Sequence, residues 1–191
     1  MSIEQAKRLM TAEELWEMPE VPGKRYELVK GELIEVPGAG GLHGLIVKVL
    51  LRLLDPFALA RDLGEVFADG VGYTIYRDPD VVRIPDVSFL SRNRITDTGV
   101  PEGYIPLAPD LAVEIISPGD RAEDVYAKVR EYLDAGVRLV WVLWPRHRSV
   151  TVYSSTGEMR DLREGDVLDG GDVLPGFQVR VAELFEVSRG R

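Results

Sequence analysis

From Val81 to Ala135 the sequence sets out two apolar runs, each interrupted by an acid and the second also opening on one, and then a helix-like stretch carrying one lysine. The first run is Val82-Arg83-Ile84-Pro85-Asp86-Val87-Ser88-Phe89-Leu90, and the second is Asp110-Leu111-Ala112-Val113-Glu114-Ile115-Ile116-Ser117-Pro118. Both read as strands, and the spacing from Asp120 to Ala135 predicts a helix that carries Lys128 back over the sheet. A carboxylate in apolar company is costly to bury unless it holds a metal, a proton or a cation. The pattern therefore constrains the fold and its cargo together.

Strand parity decides which acids can cooperate. Asp110 and Glu114 share a face of one strand, but four residues separate them by about 13 Å, too far to share one ion. Asp86 lies on a different strand. If that strand is the neighbour, about 4.8 Å away, Asp86 and Glu114 can face one divalent cation. The Asp of Ile84-Pro85-Asp86 is thus preferred to that of Ala108-Pro109-Asp110. The same parity puts Asp86 with Ser88 on one face and Val87 with Phe89 on the other, and it gives Glu114 the neighbours Ala112 and Ile116. On a helical wheel Lys128 falls about 60° from Val125, at the edge of the arc shared by Val125, Val129, Tyr132 and Leu133. Its long stem can follow that apolar surface and bring the ammonium to the sheet. Taken alone, Lys128 is better read as an i,i+4 surface partner of Asp124; two acids converging on the same place shift the balance. Hydrolysis of a phosphodiester needs an activated water, stabilised negative charge and a protonated leaving oxygen. Two carboxylates holding Mg²⁺ or Mn²⁺ beside a lysine supply that set.

The rest of the chain reads as housing. Thr11-Ala12-Glu13-Glu14 is a capping box opening a short helix. Arg25–Val29 and Glu32–Val36 flank Lys30-Gly31, a hairpin signal. Pro37–Gly41 is glycine-rich but lacks the spacing and terminal Lys-Ser/Thr of a phosphate-binding loop. Leu42–Arg61 has helical periodicity, and Asp55-Pro56 either bends it or starts a second helix. Val66–Tyr76 predicts a strand, with Arg77–Asp80 as the turn of a second hairpin reaching Leu90. Arg92–Pro109 reads as an exposed loop beside the acids. Gly136 is a C-cap, and Arg138–Trp144 suits a strand buried on both faces. Val150–Tyr153 is an alternating strand, and Phe177–Val181 a last short one before Ala182–Phe185. The expectation is one α/β domain over residues 1–191, with a central mixed sheet flanked by helices.

Composition sets limits. There is no cysteine, so no disulfide, zinc–thiolate site or thiol nucleophile is available. The net charge is −9, from 32 acids and 23 bases, which counts against strong non-specific DNA binding but leaves room for a local metal site. Only five of the bases are lysines, which makes Lys128 more informative. The start, Met1-Ser2-Ile3-Glu4-Gln5, lacks the basic and apolar regions of a signal peptide, and no apolar run is long enough to span a bilayer. The expectation is a cytoplasmic protein.

Together these residues resemble the Uma-type restriction endonuclease family of the PD-(D/E)XK nuclease superfamily. The matching pieces are Tyr26-Glu27-Leu28-Val29-Lys30-Gly31-Glu32, His43 at a helix start, Ile84-Pro85-Asp86-Val87, and Ala108-Pro109-Asp110 through Glu114 to Pro118. Asp124, Lys128, Tyr132, Ala135-Gly136-Val137, Trp141 and Leu174-Pro175-Gly176-Phe177 continue the series. The resemblance spans roughly Thr11 to Phe185. It implies a restriction-endonuclease-like core with an N-terminal β-hairpin, Mg²⁺ or Mn²⁺ as cofactor, Asp86 and Glu114 as metal ligands, and DNA as substrate. The superfamily's lysine lies two residues after the glutamate, where this chain has Ile116; Lys128 on the following helix is implied as its substitute. Glu32, with Glu27 as a second choice, is implied to add a carboxylate, and His43 to line the site. Arg83, Arg92 and Arg94 flank the acid-bearing strand and are read as residues approaching phosphates. A homodimer, as in many restriction-type enzymes, is carried as an option that no pattern here establishes. The competing reading is a catalytically inactive module of the same fold that binds nucleic acid or protein; a nuclease acting on RNA or on branched DNA is a third.

Overall fold

The computed structural model describes residues 8–186, so Met1–Gln5 lies outside the described residues. In chain order the elements are α1 (Ala12–Trp16), β1 (Arg25–Val29), β2 (Glu32–Val36), α2 (Gly41–Ala60), β3 (Gly64–Ala68), β4 (Tyr73–Tyr76), β5 (Val81–Arg83) and β6 (Val87–Ser91). After them come β7 (Leu111–Ile115), α3 (Ala122–Asp134), β8 (Leu139–Trp144), β9 (Ser149–Ser154), β10 (Met159–Leu162), β11 (Val167–Asp169), β12 (Gln178–Arg180) and α4 (Val181–Leu184). The architecture is mixed α/β around a six-stranded sheet of order β10-β9-β8-β7-β6-β3, in which only β7 and β8 run parallel. A four-stranded sheet, β2-β1-β5-β4, stands beside it, and β11 pairs with β12.

Alternation along the central strands explains the layering. Leu139, Trp141 and Leu143 of β8 join Ile46, Leu50 and Leu54 of α2 in one core. Val140 and Val142 of the same strand join Val129 and Tyr132 of α3 in the other. Each fully buried side chain of this size contributes about 1.5–3 kcal/mol by leaving water, which is why a strand apolar on both sides belongs at the centre of the sheet. α3 is the crossover between the parallel pair β7 and β8, and it ends where Gly136, at φ +91°, lets Val137 N–H reach the Tyr132 carbonyl. Its position over the sheet is therefore tightly defined.

The N-terminal hairpin forms over the residues its turn signal marks: Lys30 and Gly31 both have positive φ, and Val29 pairs with Glu32. The helix α2 runs through Pro56 without dividing. Two expectations are overturned. Val66–Tyr76 is two strands, β3 and β4, in different sheets, and so is Val82–Leu90: β5 pairs with β4 and β1, whereas β6 pairs with β3 and β7. The break falls at Ile84-Pro85-Asp86, where proline removes a backbone donor. The segment Arg92–Pro109 is only partly exposed, since Ile105 and Ala108 are buried and Ile105 bridges to Tyr73. No helix among the described residues is long and apolar enough to cross a membrane.

Candidate active site

The chain leaves one sheet for the other at Asp86, and the candidate site lies at that junction. Asp86 extends the β6–β7 pairing by one step: Val87 pairs with Val113, and the Asp86 amide donates to the Val113 carbonyl at 3.0 Å. This places Asp86 opposite Glu114 across neighbouring strands, as the parity reading required. Val87 and Phe89 point into the α2 core, and Ser88 points the other way to bond Tyr73. Asp86 and Glu114 are each 9% exposed. One oxygen of Asp86 accepts the Ile115 amide at 2.6 Å, which fixes the carboxylate to β7 itself.

Lys128 arrives from α3. Its Nζ donates to Glu114 Oε2 at 2.9 Å and lies 3.0 Å from Glu27 Oε1, so it engages the sheet rather than Asp124. The buried Tyr132 hydroxyl, one turn later on the same helix, donates to Glu114 Oε1 at 2.8 Å. His43 comes from the first turn of α2, where Gly40 offers no side-chain cap. Its Nε2 is 3.1 Å from Asp86 Oδ1 but outside hydrogen-bonding alignment, and both ring nitrogens are buried without a hydrogen-bond partner.

Of the residues expected from the sequence, Asp86, Glu114, Lys128 and His43 line one cavity of about 570 Å³, between the hairpin and the N-terminal end of α3. Glu32 does not. It is exposed at the turn end of β2 and absent from the cavity lining; the hairpin acids that line the cavity are Glu27 and Glu35, of which Glu27 meets Lys128. Glu32 shares the Glu27 face through its partner Val29, but two residues along a strand move it about 7 Å towards the turn. Each of the three arginines has acid partners, and Arg83 lines the cavity. Arg83 is buried between Glu27 and Glu131, Arg94 is tied to Asp110 and the Ala108 carbonyl, and Arg92 pairs with Asp62 and Glu65. The register signals the Arg83 arrangement: Leu28 pairs with Val82, so Glu27 faces Arg83 across β1 and β5.

The electrostatics of the cluster are unbalanced. In the ion pairs of the described residues, Glu27, Glu114 and Glu131 share Lys128 and Arg83, while Asp86 meets His43 and no fixed cation. Burial pushes the Glu114 carboxyl up to about 7; Lys128 opposes this, and the charges of Asp86 and Glu27 reinforce it. Burial acts on Glu27 in the same sense, but Lys128, Arg83 and the Ile84 amide outweigh it and hold that carboxyl below its usual range. Lys128 is held above the usual ammonium range because Glu114 and Glu27 outweigh its burial. Contact with Asp86 raises His43, against the effect of burial.

This donor set fits a hard divalent ion. Among the described residues no three His, Asp or Glu side chains converge as a closed cage. Mg²⁺ does not need one, because it is commonly held by one or two carboxylates with water and substrate phosphate oxygens completing the shell. The surplus of carboxylates over their shared cations and the misaligned His43–Asp86 contact are what such an ion would satisfy, and Asp86 and Glu114 are the carboxylates that would hold it.

The family model Uma2, described as "Putative restriction endonuclease", matches residues 12–182. The chain belongs to this family. Its fold is also that of a solved protein, described as a "putative nuclease belonging to DUF820" from Anabaena variabilis ATCC 29413. The two agree at a TM-score of 0.80 and 21% identity, over 92% of this chain and 97% of the other. No curated protein matches the chain. Membership in the Uma2 family supports a nuclease-like function with nucleic acid as substrate, and families of this kind generally use divalent metals.

Proposed function

We propose that this Uma2 family member is a cytoplasmic, Mg²⁺-dependent endodeoxyribonuclease that hydrolyses phosphodiester bonds of DNA within one restriction-endonuclease-like domain. The observation that carries the reading is the meeting of Asp86, just before β6, with Glu114 of β7 and Lys128 of α3 in one cavity, with Nζ 2.9 Å from the Glu114 carboxylate. Asp86 and Glu114 would hold Mg²⁺ or Mn²⁺, which when bound would supply Lewis-acid charge and orient a water. The chain's own residues do the rest. Tyr132 and the Ile115 amide fix the two carboxylates, so the ligands are preorganised. Lys128, kept protonated by Glu114 and Glu27, is suited to stabilising charge on the phosphate rather than to taking a proton from water. His43 stands beside Asp86 at the cavity wall, within reach of a group bound there.

The test is cleavage of plasmid and single-stranded DNA in Mg²⁺ or Mn²⁺ by the wild type and by Asp86→Ala, Glu114→Ala and Lys128→Ala, with folding checked by circular dichroism. Loss of cleavage in folded variants is expected; full activity in all three overturns the reading. One observation favours the inactive-module alternative: the Lys128 ammonium is already shared by two carboxylates. Calorimetry separates the two readings, since an inactive module takes up no Mn²⁺ with or without DNA.

A further inference from the structure

Glu27 does something that no residue of the metal-holding pair does. It is 3% exposed, and its two oxygens engage donors from three parts of the chain. Oε1 accepts the Ile84 amide at 2.9 Å and lies 3.0 Å from Lys128 Nζ; Oε2 accepts from Arg83 Nη1 at 2.7 Å. Arg83 is held from its other side by Glu131 of α3, at 2.8 Å from Nε and 2.5 Å from Nη2. Glu27 therefore cannot turn without breaking contacts to β5, to α3 and to the segment between the sheets.

Two of those contacts bear on the site. Ile84 lies two residues before Asp86, in the stretch where the chain passes from one sheet to the other. Lys128 reaches the site on a four-carbon stem from a helix, so no strand register fixes its ammonium as it would fix that of a lysine on β7. Glu114 alone gives that ammonium one anchor, and one anchor leaves it free to swing across the carboxylate that is also to hold the metal. We propose that Glu27 is a positioning residue: it anchors the Lys128 ammonium and the Ile84–Asp86 segment through one buried carboxylate, and so fixes the lysine relative to the metal-holding acids. This inference rests on the nuclease reading. The donors to Glu27 come from β5, α3 and the segment between the sheets, whereas both oxygens of Glu114 are held from α3 alone, so the role of Glu27 differs from that of Asp86 and Glu114.

Without the Glu27 charge, the ammonium has Glu114 as its remaining anion and competes there with a metal ion. Glu27→Gln keeps the shape and an acceptor for the Ile84 amide. The experiment is Mn²⁺ titration by calorimetry and steady-state DNA cleavage of Glu27→Gln, with thermal unfolding as the check on folding. Residues that orient metal ligands are typically worth about 10–100-fold. Mn²⁺ affinity is expected to weaken about 10-fold, with kcat reduced by a similar factor and KM little changed. In a Lys128→Met background the same substitution should weaken Mn²⁺ binding by no more than about a third of that factor, because the competitor is gone.

Equal losses in both backgrounds overturn the proposal, since Glu27 would then act independently of Lys128. Glu27→Asp is the second variant: it keeps the charge for Arg83 but shortens the reach, and the same reduced kcat and weakened Mn²⁺ binding are expected of it. Wild-type behaviour of both variants overturns the proposal, and so does failure of both to fold, which would make Glu27 purely structural. A wild type that neither binds Mn²⁺ nor cleaves DNA overturns the nuclease reading as well, so the two failures are told apart.

Discussion

Asp86 and Asp110 each follow a proline, each stand one residue before a strand, and their strands β6 and β7 are antiparallel neighbours. Their surroundings differ. Asp110 is 1% exposed and fully answered by the protein: one oxygen accepts the Ser91 amide and hydroxyl, both at 2.8 Å, and the other meets Arg94 at 3.1 Å. Asp86 has a firm amide donor on one oxygen, while the other faces an imidazole that is not aligned to donate. Glu114, close by, is so short of compensating charge that burial drives its carboxyl up to about 7. Two Pro-Asp pairs thus serve opposite ends. One closes a loop onto the sheet, and the other leaves an acceptor and a net negative charge facing a cavity. What marks the second as a site is unfinished electrostatics, not the acid itself.

The largest expected effect tests that contrast directly. Asp86→Asn and Glu114→Gln are nearly isosteric, and each should lower DNA cleavage by at least about 10²–10³-fold, the scale of losing a preorganised electrostatic group. Both should stay folded, because each removes negative charge from a cluster that has too much. Metal binding offers a check besides activity: Mn²⁺ should raise the thermal midpoint of the wild type and leave that of Asp86→Asn unmoved. An Asp86→Asn protein that Mn²⁺ still stabilises would move the site elsewhere.

Asp110→Ala should behave in the opposite way. It strands the Ser91 amide and deprives Arg94 of its carboxylate, at a cost of about 2–3 kcal/mol, less than a fully buried pair because Arg94 is about a third exposed. Chemical denaturation measures that loss. Cleavage per folded molecule should be unchanged at a temperature where the variant stays folded. Loss of activity without loss of stability would erase the distinction between the two aspartates. Tyr132→Phe sharpens it from the other side, by removing one donor from Glu114 while keeping the ring packed. We expect about 10-fold weaker Mn²⁺ binding in calorimetry with stability lowered by roughly 1–2 kcal/mol.

Much of this was legible before any coordinates. The hairpin at Lys30-Gly31, the capping box at Thr11 and the central strand at Leu139 announce themselves through local turn chemistry and periodicity, which depend only on near neighbours. Parity gave the faces of Asp86 and Glu114 and made them partners on condition that their strands are neighbours, which β6 and β7 are. Sheet membership was not legible. β5 and β6 are both buried and both apolar, and nothing in Val82–Leu90 says that the chain changes sheets at Pro85; that is decided by which strands arrive later to pair. Glu27 was ranked below Glu32 for a related reason. The two share a face of the hairpin, and only the approach of β5 with Arg83 and of α3 with Lys128 selects the one farther from the turn. The same partner blindness hid the acids that Arg83, Arg92 and Arg94 meet.

Arg92 gives the smallest expected effect and so the finest test of that last point. The sequence places it beside an acid-bearing strand, where a phosphate contact is the natural reading, but in the structure it lies past the end of β6 with its guanidinium turned to Asp62 and Glu65. Both pairs are exposed, and such pairs are worth about 0–1 kcal/mol. Arg92→Ala should therefore shift stability by less than about 1 kcal/mol in denaturant titration. It should also leave the salt dependence of DNA binding unaltered, because each lost phosphate contact reduces the slope of log K against log salt by about one. A reduced slope with unchanged stability would return Arg92 to the DNA path and show that its acid partners give it up when nucleic acid arrives. An unchanged slope would leave the polyanion to be gripped at the metal-holding end of the sheet, where Asp86, unlike Asp110, still has an oxygen facing the cavity.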